Sequence, residues 1–148
     1  MSLSTESGYP GGSRDTARAM SQDNVQVLRE MYGRRTLADA ASLMHPDAEM
    51  HQPSTLIDTD HYYGRDEVVR GTQRALEAWR ELDFIPEEVI DLGERAFMRV
   101  RLSGRARTSG IKVEQMAFHL WTFRDGMPWR CEVFFSEAEA LEAAGLRE

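Results

Sequence analysis

Between Ile111 and Phe135 the chain reads IKVEQMAFHLWTFRDGMPWRCEVFF, two apolar-aromatic runs joined at Arg124-Asp125-Gly126. Such runs broken by an Asp-Gly pair specify a β-hairpin. Side chains alternate along a strand, so Val113, Gln115, Ala117, His119, Trp121 and Phe123 share one face and Met116, Phe118 and Leu120 share the other. Both faces are largely apolar, so this strand must be covered on both sides. The chain's own helices around a pocket are expected on one side and a partner subunit on the other.

The rest of the chain supplies those helices. Residues 1–20 are rich in Ser, Gly and charge without an apolar period, which predicts a flexible N-terminal tail ahead of one folded domain over 21–148. From Ser21, Val25, Leu28, Met31 and Tyr32 recur at helical spacing until Gly33-Arg34-Arg35. Thr36, followed by Asp39, predicts the N-cap of a second helix whose stripe is Leu37, Ala40, Ala41 and Met44, ending at His45-Pro46. A short strand over 48–52 puts Met50 and Gln52 on one face and Glu49 and His51 on the other. Residues 53–63 lack a period and carry His61, Tyr62 and Tyr63 at one end, the pattern of a flap. A third helix is expected over 65–81 on Val68, Val69, Thr72, Leu76 and Trp79. Strands over 83–92, 95–108, 111–125 and 128–135 follow through hairpin-like turns, and Ser136 with Glu139 opens a last short helix that stops at Gly145. The order is α+β: three N-terminal helices packed on a strongly curved, mostly antiparallel sheet, with a short C-terminal helix.

Composition excludes several partners. At 148 residues the chain suits one domain, and a net charge of -7 without a basic block disfavours nucleic acid. Arg99, Arg101, Arg105 and Arg107 recur with period two, but Glu87, Glu88 and Asp91 on the preceding strand can pair with them, which reads as a solvated sheet face. Cys131 is the only cysteine, which suits a reducing cytoplasm, and no apolar run approaches a membrane span. A cytoplasmic protein without a membrane partner is expected. The histidines at 45, 51, 61 and 119 lack metal-ligand spacing, and Tyr9-Pro10-Gly11-Gly12 follows no strand, so neither a metal nor another cofactor is expected.

Leu43-Met44-His45-Pro46-Asp47-Ala48 running into Gln52-Pro53, Tyr63-Gly64-Arg65-Asp66, His119-Leu120-Trp121-Thr122-Phe123-Arg124-Asp125-Gly126 and Glu139-Ala140-Leu141-Glu142-Ala143-Ala144-Gly145-Leu146 carry a resemblance. Over roughly 22–146 the chain resembles the SnoaL-like group of the nuclear transport factor 2-like, or ketosteroid-isomerase-like, superfamily. That resemblance implies a cone-shaped α+β barrel with a pocket beneath the third helix, commonly as a dimer. The superfamily hosts isomerases, cyclases, dehydratases, epoxide hydrolases and binding domains, so the fold alone names no reaction. The isomerases place a basic aspartate just before the proline that ends the first strand; here that residue is Gln52. Their enolate-binding tyrosine falls on Leu28, with Tyr32 one turn away. No aspartate–arginine–aspartate set of the epoxide hydrolases is found. His119 falls near the pocket-lining acid of the isomerases and cyclases, given one gap at the Arg124-Asp125-Gly126 turn; without that gap Leu120 aligns instead.

Among Ala117, Trp121 and Phe123, a histidine is poorly solvated, so His119 should be a neutral imidazole able to accept a proton. The plainer reading is a core histidine satisfied by one buried partner, either Gln52 or a tyrosine. Gln52 itself reads either as an orienting group for a ligand carbonyl or as a holder of His119. Expected pocket walls are Leu28, Tyr32, Met50, Tyr63, Trp79, Ala117, Trp121, Trp129, Cys131 and Val133, residues that equally suit plain core. Cys131 has no neighbouring base and reads as a small buried hydrophobe. Met116, Phe118 and Leu120 are the expected homodimer face. The chain is thus expected to bind a small hydrophobic, carbonyl-containing molecule. It would act as a cofactor-independent cyclase, isomerase or dehydratase with His119 as acid/base; the alternative is a non-catalytic binding, dimerisation or protein-interaction module.

Overall fold

The computed structural model describes residues 13–52 and 61–146, with side chains from residue 23 onward. Residues 1–12 of the expected tail and 53–60 of the expected flap lie outside the described residues. The elements, in chain order, are α1 (Ser13–Tyr32), α2 (Leu37–Ala41), β1 (Glu49–His51), β2 (Tyr62–Tyr63), α3 (Arg65–Leu76), β3 (Trp79–Asp91), β4 (Arg95–Ala106), β5 (Lys112–Arg124), β6 (Met127–Phe134) and α4 (Glu137–Ala144). The strands form one curved sheet in the order β2-β1-β6-β5-β4-β3, antiparallel except where β1 runs parallel to β6. The sheet is not closed into a barrel.

The inward face of the sheet carries Ala96, Met98 and Val100 of β4, Trp121 and Phe123 of β5, and Cys131 and Val133 of β6. They form one core with Leu28 and Met31 of α1, Ala41 of α2 and Val68 of α3. The stripe foreseen on α1 is buried as its spacing requires, with Leu28 at 0% exposure. That helix begins at Ser13 and not at Ser21, so residues 13–20 are helical. Once Val25, Leu28 and Met31 are docked, each added residue propagates an existing helix without the cost of a new nucleus.

Thr36 caps α2 by accepting from the Asp39 amide, and Ser136 caps α4 by accepting from the Glu139 amide. The β5–β6 turn is the expected Asp-Gly hairpin, with φ of 54° at Asp125 and 75° at Gly126. Pro86 sits at an irregularity of β3, an edge strand, where its missing N–H is tolerated.

One expectation fails in an instructive way. α3 stops at Leu76, and Trp79 opens β3 opposite Ala106 instead of extending the helical stripe. Arg107 holds that turn: its guanidinium donates to the Glu77 and Trp79 carbonyls, and its amide donates to the Ala78 carbonyl. The outer face of β5 is covered in part from within the chain. Phe118 and Leu120 are buried within this chain by α4, in a cluster with Phe97, Ala140, Leu141 and Ala144, while Met116 packs at its margin. Arg95 fixes α4 in place by donating to the Ala143 and Ala144 carbonyls at the negative end of the helix. The apolarity of Phe118 and Leu120 is therefore satisfied without a second subunit. Beyond α4 the outer face carries part of the charged ladder foreseen, with Arg99 paired to Glu88 and Glu137 and Arg101 to Glu87, whereas Arg105 and Arg107 donate to backbone carbonyls.

Candidate functional site

His119 lies mid-strand on the inward face, between Met98 of β4 and Val133 of β6. Its ring faces the Tyr32 ring from α1 at 5.8 Å and the Phe84 ring from β3 at 6.5 Å between centroids. The Tyr32 hydroxyl is 2.6 Å from His119 Nδ1. The Trp121 indole Nε1–H donates to the same hydroxyl oxygen over 2.9 Å. An indole N–H, a phenol and an imidazole thus form one hydrogen-bonded line inside an otherwise apolar core. The line closes because β5 alternation puts positions 119 and 121 on the same face and Tyr32 comes down on them from the last turn of α1.

Burial sets the protonation of this line. It lowers the His119 pKa from the ordinary 6.5 to about 4, so the ring is neutral near pH 7. Burial, with the nearby Cys131 adding to it, holds the Tyr32 hydroxyl well above the usual phenol range; the bond from Trp121 pulls the other way and is outweighed. The Cys131 thiol is likewise pushed up, by burial first and by Glu132 second, and with 0% exposure it is the inert core residue expected. His119 Nε2 has no hydrogen-bond partner among the described residues, and His119 keeps 7% of its surface exposed.

The structure divides the expected pocket residues. Leu28, Tyr32, Met50, Ala117, Trp121, Cys131 and Val133 gather on the inward side with His119. Trp129, Tyr63 and Trp79 do not. A bulge sets Thr122 against Arg130 and Phe123 against Pro128, which leaves Trp129 as the extra residue. Its ring lies under the guanidinium groups of Arg124, at 3.8 Å, and Arg130, at 4.4 Å. Tyr63 is 56% exposed and meets His51 edge-on, and His51 bonds Glu49. Trp79 is at the start of the far edge strand. Gln52 follows β1 directly and makes no bond to His119; the tyrosine alternative is the one realised. Phe84 was not foreseen, although the alternation of its strand could have found it.

Two shallow clefts of about 330 and 350 Å³ both involve Arg65, Asp66 and Arg70 at the start of α3, and neither is lined by His119. We weigh the His119 line above them because its polar atoms converge inside the core, whereas the clefts are open surface. Among the described residues no cluster of His, Cys, Asp or Glu can hold a metal ion, and no helix is long and apolar enough to cross a membrane.

Comparison with known proteins fits this geometry. The SnoaL-like domain model matches residues 25–130. The chain belongs to the SnoaL-like family. A nuclear transport factor 2-like protein of unknown function from Burkholderia pseudomallei is 25% identical, with a TM-score of 0.69 over 81% of this chain and 95% of that one. A phenazine biosynthesis-related protein from Pseudomonas aeruginosa is 16% identical, with a TM-score of 0.69 over 93% and 94% of the two chains. A Catenulispora acidiphila protein with a ketosteroid-isomerase-like fold is 11% identical, with a TM-score of 0.64 over 84% and 93%. The last two likenesses speak for the fold alone. No functionally curated protein matches the sequence. SnoaL-like folds commonly bind small ligands or act as cyclases and isomerases, and the matched segment ends one residue before Cys131, so it includes Tyr32, His119 and Trp121.

Proposed function

We propose that this SnoaL-like chain binds a small, mostly apolar, carbonyl-containing molecule on the inward side of its sheet, with His119 as the polar group that meets the ligand oxygen. The observation that carries this reading is His119 Nε2: a polar atom on an apolar inward face whose ring is already anchored through its other nitrogen. Gln52, directly after β1, is the second group assigned to that oxygen. A neutral imidazole that touches a carbonyl supports proton movement at the adjacent carbon, the step shared by cyclases, isomerases and dehydratases that need no cofactor.

The competing reading, a core histidine that pins α1 to β5, is favoured by the same Tyr32 bond. A thermal-shift screen against hydrophobic ketones, lactones and polyketide-like aromatics separates them, because a molecule that binds only the native state raises the melting temperature. Hits sharing a carbonyl scaffold, lost in His119→Ala while the variant still folds, are the expected result. Hits that survive in His119→Ala, or a variant whose only defect is a lower melting temperature, make the histidine a core residue. Deuterium exchange at the carbon beside the carbonyl of a hit then distinguishes turnover from binding alone.

A further inference from the structure

The direction of the hydrogen bonds around Tyr32 determines which proton His119 can offer. An indole N–H can only donate, so the Tyr32 oxygen is an acceptor at its 2.9 Å contact with Trp121. The hydroxyl keeps one hydrogen of its own, and its other polar contact is His119 Nδ1 at 2.6 Å. Were the imidazole proton on Nδ1, both neighbours would donate into the tyrosine oxygen. The hydroxyl hydrogen would then be left inside the core and the Nε2 lone pair would be left idle as well, two groups without partners among the described residues. With the proton on Nε2 instead, the indole donates to the phenol and the phenol donates to Nδ1, so the one hydrogen left over is Nε2–H, on the side of the ring that is free to meet a ligand.

We infer that Tyr32 is a positioning residue that locks His119 in its Nε2–H tautomer, so that the site presents a hydrogen-bond donor and selects ligands by an acceptor oxygen. This rests on the reading of His119 as the ligand-facing group, and it changes the expected chemistry. A base would have to present a lone pair at Nε2, and the Tyr32 bond keeps that lone pair at Nδ1. His119 therefore donates to a ketone, lactone or enolate oxygen, and it discriminates against ammonium groups, the form of an aliphatic amine near pH 7, which bring only donors. The lock holds across the ordinary working range, because the phenol is held far from ionising and the imidazole far from becoming a cation. Trp121 acts one step further back, orienting the phenol whose hydrogen sets the tautomer.

Long-range proton–nitrogen correlation spectra of the ¹⁵N-labelled, ligand-free protein test this without any ligand, so an unsuccessful ligand screen leaves the result intact. His119 should show a protonated Nε2 and an unprotonated Nδ1, unchanged from about pH 5 to 8, where a free histidine titrates. In Tyr32→Phe the two nitrogen shifts should converge towards a mixture of tautomers, whereas in Trp121→Phe, which keeps the Tyr32 bond, the Nε2–H form should remain dominant. A wild-type spectrum with the proton on Nδ1, or an unaltered Nε2–H pattern in folded Tyr32→Phe, overturns the assignment. If Tyr32→Phe does not fold, the wild-type spectrum alone decides the tautomer. Selectivity is read separately: a ketone found by the screen should bind at least about tenfold more tightly than its amine counterpart, and equal affinities would remove the donor role while leaving ligand binding in place.

Discussion

His45 and His119 are buried to nearly the same degree, at 8% and 7% exposure, yet they are bonded differently. His45 occupies the corner between α2 and β1, and its neighbours use the whole ring. Its Nδ1 accepts from the Asp47 amide at 3.0 Å, and its Nε2 lies 3.3 Å from Asp125 Oδ2 at the β5–β6 turn. Its own amide donates to the Pro128 carbonyl. The residue therefore staples a helix-to-strand corner to a hairpin. His119 has its Nδ1 tied to a residue 87 positions away and its Nε2 without a partner among the described residues. Burial does not separate the two histidines; unused hydrogen-bonding capacity does.

Trp121→Ala should have the largest effect and would break the His119 side of the comparison outright. It empties a side chain 2% exposed in the main core and removes the donor to Tyr32, so a loss of about 3–5 kcal/mol is expected. Urea unfolding measures it, and a loss below about 1 kcal/mol would mean that the indole is not the packed centre of the site.

Acid should sharpen the comparison next. His119 has a folded pKa lowered from 6.5 to about 4, so as pH falls through this window the unfolded chain takes up the proton first. Stability contributed by the neutral buried ring is complete above about pH 6.5, declines towards pH 4 and is flat below it, a total of up to about 3 kcal/mol at ~1.4 kcal/mol per pH unit. Carboxylates add their own acid loss, so the measurement is the difference between wild type and His119→Gln, which lacks the ring. Parallel stability curves for the two proteins between those pH values would contradict the buried neutral state.

His45→Ala should give the smallest change. Loss of both ring contacts is expected to cost about 1–2 kcal/mol in chemical denaturation and to leave ligand-induced melting shifts untouched. A variant that lost ligand response would show that the staple also shapes the site.

Much of this fold was legible because its signals are local. Alternation placed β4, β5 and β6, the Asp-Gly pair placed their hairpin, and Thr36, Ser136 and Gly145 marked helix ends through their own side chains or backbone. What escaped depends on partners distant in sequence. The end of α3 is held by Arg107, about thirty residues on, so Leu76 and Trp79 looked like one helical stripe. The bulge that turns Trp129 away arises from how β6 registers against β5, which period two cannot foresee. That α4 folds back over Phe118 and Leu120 is likewise hidden, because nothing in the pattern of β5 itself reveals it. At the site, an ionisable residue on an apolar face singled out His119, but the choice between Gln52 and a tyrosine as its partner needed the packing of α1 on the sheet.

The most direct measurement of the central claim is the His119 ¹⁵N spectrum before and after addition of a carbonyl ligand found by the thermal-shift screen. The Nε2 resonance should move as its proton is donated to the ligand oxygen, with Nδ1 still unprotonated and bound to Tyr32. A ligand that saturates the protein while both His119 nitrogens stay where they were would place the binding site elsewhere and return His119 to the core.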